Sequence, residues 1–213
     1  MEITLLRKFS LDDALDHLQA EVEGLSRRQV AAFFAICGEA LFPLYMQFVS
    51  VTGWGDPDVL RTGGLFALEF ATGGEAMSAS NLLEAIAKVT PDGERFDAPE
   101  STFAQDVAIC MDAAVRAATL EEKINPSWVE YALEPSIIVA SEEQTGYIDP
   151  GSSIEADKWR VIALRHPGLL RAFETAFALL AILKANATPN SSDIVRLRLL
   201  AVGLLVDSDR APM

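Results

Sequence analysis

The chain has 213 residues, half of them apolar, with 17 basic and 31 acidic side chains and a net charge of −14. A chain this long can bury about 70 % of the surface its unfolded form exposes, so it needs neither disulfide nor metal to hold a core. The acidic excess repels phosphate backbones and anionic headgroups, so neither nucleic-acid nor membrane binding is expected, and a basic protein surface is the favoured partner.

Helix signals recur in chain order. The opening Met1-Glu2-Ile3-Thr4 has an acid before any apolar run and does not read as a signal peptide. Ser10 with Asp12 and Asp13 resembles a helix cap, and Leu11, Ala14, Leu15, Leu18 and Val22 fall on one face before Gly24. Ser26 opens a second helix to about Val51. Its apolar residues (Val30, Phe33, Phe34, Ile36, Cys37, Leu41, Leu44, Tyr45, Phe48) cover nearly the whole circumference, which predicts the centre of a bundle. Pro43 inside it predicts a kink or a break. Gly53-Trp54-Gly55 is a loop. Asp56-Pro57 then starts a third helix whose Gly63-Gly64 costs about 2 kcal/mol of helix propensity against alanine. That cost requires close backbone packing or a real break.

A short helix is predicted from Ser80 to about Val89, and a long one from Ser101 or Thr102 to about Lys123. Asn125-Pro126 opens a helix to Thr145 that Pro135 should bend, with Ser136–Ala140 as a strand alternative. Residues 146–153, Gly146 to Ser153, read as a linker to C-terminal helices over 154–206. Within these, His166-Pro167-Gly168 marks a break and Pro189–Ser192 separates the last helix. Phe177–Leu183 and Leu199–Val206 read as core segments, each short of the ~20 residues that span a bilayer. The tail 207–213 reads as frayed. Cys37 and Cys110 lie in apolar runs and read as core thiols, which suits a reducing cytoplasm. The predicted architecture is all-α: residues 1–213 form one domain, a bundle of about 7–9 helices around a kinked, buried central helix.

Catalytic patterns are absent: no phosphate-loop lysine, no dinucleotide fingerprint, no nucleophile elbow. Thr62-Gly63-Gly64 and Thr72-Gly73-Gly74 have no lysine to reach a phosphate. His17 and His166 lie outside any metal-ligand spacing and read as structural, His166 as a favourable charge at a helix end. Neither a catalytic residue, a metal nor a cofactor is expected. The notable polar residues are embedded in apolar helices: Glu39, Asp106 and Asp112, with Arg116 one turn beyond Asp112. A buried acid must be paired, hydrogen-bonded or protonated. Asp112 and Arg116 suit one helix face. If Glu39 approached Asp112, the two could hold a cation or share a proton; the plainer alternative is a polar network fixing helix register. Trp54 reads as a partner anchor or a lid over the core.

The run Ala35-Ile36-Cys37-Gly38-Glu39-Ala40-Leu41-Phe42-Pro43-Leu44-Tyr45, then Phe48 and Thr52-Gly53-Trp54-Gly55-Asp56, resembles the YjaG-like bacterial family, a domain of unknown function (family 416). Met111-Asp112-Ala113 and a helix over Trp128–Glu142 fit the same pattern, so the resemblance covers about residues 25–145. It implies an all-helical bacterial domain linked to signalling, with no established catalytic residue. It marks Glu39, Pro43, Tyr45, Gly53, Gly55, Asp56, Arg61 and Asp112 as fitting positions. Gly63-Gly64 and Leu65 depart from it.

Three functions follow as expectations. The first is a non-enzymatic interaction or regulatory module of a bacterial cytoplasm. It would self-associate through Leu197–Val206, whose apolar residues exceed one helix face. The second is an acidic immunity or inhibitor protein for a basic toxin or nuclease. The third is a small-ligand or metal-binding enzyme using Glu39 and Asp112, with Tyr45, Asp56, Arg61 and Arg116 nearby.

Overall fold

The computed structural model describes residues 9–75, 77–92, 95–96, 98, 100–119, 124–145 and 163–205. Among these there are eight α-helices and no strand: α1 Leu11–Glu23, α2 Arg27–Thr52, α3 Pro57–Ala71, α4 Ser80–Val89, α5 Glu100–Thr119, α6 Glu134–Thr145, α7 Pro167–Ala185 and α8 Ser191–Ala201. Three short 3-10 segments join them, at Pro126–Ala132, Ala163–Arg165 and Val202–Leu204. The expected linker at 146–153, most of the helix from Ile154 and the tail 207–213 lie outside the described residues.

The helix starts follow the caps. Ser10 accepts the Asp13 N–H while the Asp13 carboxylate takes the Ser10 N–H, a reciprocal pair repeated by Ser26 with Gln29 and by Asn190 with Asp193. Asp56 caps α3 by accepting from the Asp58 N–H, with Pro57 in the first turn where its missing donor costs nothing.

The centre is α2, which packs against α3, α5, α7 and α8. Residues 29–38 are buried without interruption, and Leu41, Tyr45 and Phe48 continue the buried face. By length and composition alone α2 could cross a membrane, a property that the survey of Phe177–Leu183 and Leu199–Val206 overlooked; 56 % of its most apolar window is buried inside the fold. Pro43 does not break it: the helix runs continuously to Thr52. Pro43 is exposed, so its ring faces away from the core.

Gly63-Gly64 does not break α3 either. A side chain at Gly64 would meet the Met111 sulfur at 3.3 Å, and one at Gly63 would meet Ile86 Cδ1 at 3.1 Å and Val115 Cγ2 at 3.3 Å. Gly38 of α2 abuts the same Met111. Gly38 and Gly64 let α2, α3 and α5 close around one methionine, itself 1 % exposed, while Gly63 admits Ile86 of α4 and Val115 of α5. Burying a side chain of that size contributes ~1.5–3 kcal/mol, enough to offset the ~2 kcal/mol propensity cost of the glycine pair.

The expected bent helix from Asn125 to Thr145 is instead two segments. The chain runs in 3-10 geometry to Ala132 and restarts as α6 at Glu134, which places Pro135 in the first turn. A proline there lacks only a donor that has no intrahelical partner, whereas mid-helix it would also clash with the preceding turn. Ser136–Ala140 is helical, so the strand alternative falls. The last helix ends at Ala201 rather than near Val206. Leu197 and Leu204 are fully buried, but Leu199 is 74 % and Val202 64 % exposed, so Leu199–Val206 is not a core segment throughout.

Candidate functional site

The six polar residues expected to share a ligand site separate into three places. Glu39 and Arg61 line one cavity, of about 300 Å³ and open on one side, together with Phe42, Gly64, Leu65 and Met111. Tyr45 and Asp56 meet where the α2–α3 loop folds back. Asp112 and Arg116 lie on the outer side of α5.

Glu39 does not turn to Asp112. It receives two hydrogen bonds from Arg198 of α8, Nε at 2.7 Å and Nη2 at 2.6 Å, which raise the arginine further and fix α8 against α2. Arg61 pairs with Asp58 at 2.8 Å and lies over the Phe42 ring, 4.8 Å from its centroid. Asp112 binds Arg116 at 2.5 Å, the helical i,i+4 pair read from the sequence. With each acid carrying its own arginine, the expected Glu39–Asp112 site has no geometry behind it. Among the described residues, no group of three or more His, Cys, Asp or Glu could hold a metal ion.

Tyr45 is fully buried and donates to the Val89 carbonyl at 2.7 Å. Burial pushes its phenol up to about 12, against the backbone N–H of Asp56 that faces it. Gly55 crosses this hydroxyl at a positive φ of 105°, and a Cβ there would lie 2.7 Å from it. The loop therefore closes over Tyr45 only with glycine at this position. Trp54 packs edge-on against Phe48 (5.9 Å) and tilted against Phe96 (4.9 Å), with Arg95 over its ring. It is half-buried in an aromatic cluster and covers the core.

Both histidines make contacts within the fold, and His166 is placed differently from the expectation. It caps the start of α7, its Nδ1 accepting the Leu169 N–H at 3.3 Å while Nε2 faces Glu143 at 2.8 Å. An acceptor at a helix start replaces the expected charge at a helix end. His17 stacks obliquely on Phe177 (5.5 Å). Cys37 and Cys110 are free and fully buried, and burial raises both thiols far from reactivity.

The deepest acid is Asp106 on α5. It is 3 % exposed, and its Oδ2 has no hydrogen-bond partner among the described residues. Burial, with a smaller contribution from the Glu134 carboxylate at the start of α6, raises its carboxyl to about 9. Glu134 is raised in turn by its own burial and by Glu130. Glu130 of the 3-10 segment is held by Gln19 of α1 at 2.8 Å. Sequence reasoning named Asp106 as an embedded acid but set the pairing argument on Asp112, and it passed over Arg198 and Glu134.

α8 exposes an apolar stripe. Val195 (56 % exposed) and Leu199 (74 %) of the helix and Val202 (64 %) at the start of the following 3-10 segment recur at helical spacing, with Leu200 beside them. The Arg198–Glu39 bridge sets this stripe beside the open cavity, whose rim carries exposed Leu65.

No family model and no curated protein matches this sequence. Among solved structures, a DUF416 family protein from Shewanella baltica matches at a TM-score of 0.66 and 19 % identity, over 86 % of this chain and 92 % of that one. At that identity the likeness speaks for the backbone architecture, which agrees with the resemblance read from residues 25–145: this chain has the fold of a DUF416 family protein.

Proposed function

We propose that the protein is a non-enzymatic helical interaction module that docks through α8, and that its occupant is a second copy of the chain. The observation that carries this is the exposed stripe Val195, Leu199 and Val202. An apolar face of this kind, on a helix already tied down on its other side, marks an association surface. Charge favours a second copy. The chain carries −14 overall, yet on this face Asp193 offsets Arg196 and Glu39 holds Arg198, so two copies meet here without an acidic excess to repel them. A basic toxin or nuclease would find no net negative charge on α8, which counts against the inhibitor reading at this surface. The enzyme reading loses its motive once Glu39 and Asp112 are bound by separate arginines.

Sedimentation of the wild type across a concentration series tests the reading. A monomer–dimer equilibrium is expected, abolished by Leu199→Asp with an unchanged helical spectrum. A strict monomer at high concentration, or a dimer indifferent to Leu199→Asp, overturns it.

A further inference from the structure

We propose that Asp106, sealed in the core, and Glu134, part-buried at its edge, form a proton-binding pair that closes the seam between α5 and α6 only while it holds a proton. The geometry is that of a carboxyl sealed inside the bundle with one oxygen unpartnered, facing a second acid rather than a base. Among the described residues, the titratable groups set against the pair are acids and thiols. Glu134 comes from α6. Glu130, from the 3-10 segment, faces Glu134. Cys110 lies one turn along α5, with Cys37 of α2 opposite it. Among the described residues, α3 and α4 set no charged group against Asp106. Two carboxylates without a cation cannot both ionise in such a place, so the native state keeps a proton that the unfolded chain releases.

The polar ties that α6 makes lead elsewhere: Ser136 donates to the Leu204 carbonyl of the last 3-10 segment at 3.2 Å, and Glu143 meets His166 at the start of α7 at 2.8 Å, so neither holds α6 to α5. Ionising the pair sets one negative charge on α5 against another at the root of α6. The 3-10 segment and α6 therefore loosen before the glycine-packed centre does, and alkaline pH becomes a means of opening one side of the bundle.

Unfolded Asp106 is ionised above about pH 4, whereas native Asp106 stays protonated to about 9, so the native state binds more protons between these limits and stability falls as pH rises. Urea unfolding of the full chain from about pH 7 to about pH 9, above the histidine range, measures this. The expected result for the wild type is an unfolding constant that grows by up to tenfold per pH unit. Asp106→Asn, which mimics the protonated acid, should remove most of that slope. Glu134→Gln should move its alkaline limit to lower pH. Hydrogen exchange at a fixed alkaline pH should be faster over residues 134–145 in the wild type than in Asp106→Asn. A flat or rising wild-type stability, or the same slope in Asp106→Asn, overturns the proposal. Should Asp106→Asn not fold, infrared spectra of the wild type decide at neutral pH: a protonated-carboxyl stretch supports the pair, and its absence refutes it.

Discussion

Asp106 and Asp112 lie on the same helix, each set among apolar neighbours, and they end in opposite environments. Asp112 holds Arg116 at 2.5 Å with its side chain 19 % exposed, whereas Asp106 is sealed in with an unpartnered oxygen. The cause is angular. Gln105, Ile109, Asp112, Arg116 and Thr119 recur at helical spacing and are all partly exposed; Asp106, Cys110, Ala113 and Ala117 recur one step round and are all buried. A rotation of about 100° separates an ordinary surface ion pair from a core carboxyl whose proton is part of the fold. Adjacency to greasy residues says little about an acid; the stripe it belongs to says a great deal.

The largest test of this contrast places a lysine at each position. Asp106→Lys forces a longer, charged side chain into a sealed site, where the part-buried Glu134 carboxylate cannot repay the desolvation and overpacking, and the fold should lose more than ~4 kcal/mol or fail to assemble. Asp112→Lys sits on the wet stripe beside Arg116 and should cost less than ~1 kcal/mol. Denaturant midpoints of the two variants, measured together, check it. Similar losses at both positions would mean that the two sides of α5 do not differ as described.

The interior side can be probed next at Met111, where Gly38 leaves room. A Cβ at Gly38 would come within 2.9 Å of Met111 Cε, the free end of a flexible side chain, so alanine can be accommodated by a small shift. Valine cannot, and Gly38→Val should cost ~1–3 kcal/mol through overpacking. Adding Met111→Ala should make the pair less damaging than the sum of the single changes, because each removes the other's obstacle. Strict additivity in urea melts would separate Gly38 from Met111 and undo the three-helix junction.

Much of this architecture was legible beforehand because caps, prolines and apolar periodicity are local signals. Ser10, Ser26 and Asp56 each start a helix where the spacing predicts one. The misreadings occurred where a residue's environment is decided by a neighbour distant in the chain. Glu39 read either as half of a cation or proton site with Asp112 or as part of a polar network fixing helix register, and the partner that decides it, Arg198, lies 159 residues away. Pro135 looked like a bend because the 3-10 stretch before it carries helical spacing too. His166 follows one segment and begins another, and only the fold shows that it caps the second. Asp106 is the instructive miss, since the polar stripe through Gln105, Asp112, Arg116 and Thr119 was readable from spacing alone and already placed Asp106 off it.

The smallest effect belongs to Asp112 itself. Its bond to Arg116 is short, but the arginine side chain is 38 % exposed and both residues lie on one helix, so water competes for the pair and little chain entropy is saved by forming it. Asp112→Asn keeps the shape and removes the charge, and the expected loss is ~0.3–0.5 kcal/mol, shrinking as salt is added. Asp106→Asn keeps the shape too, yet its effect should change with pH rather than with salt, because a group shielded from solvent is indifferent to mobile ions and sensitive to its proton. Urea midpoints of both variants at two salt concentrations and two pH values give four comparisons. If Asp112→Asn proves pH-dependent and salt-blind, the assignment of the wet and dry sides of α5 is reversed.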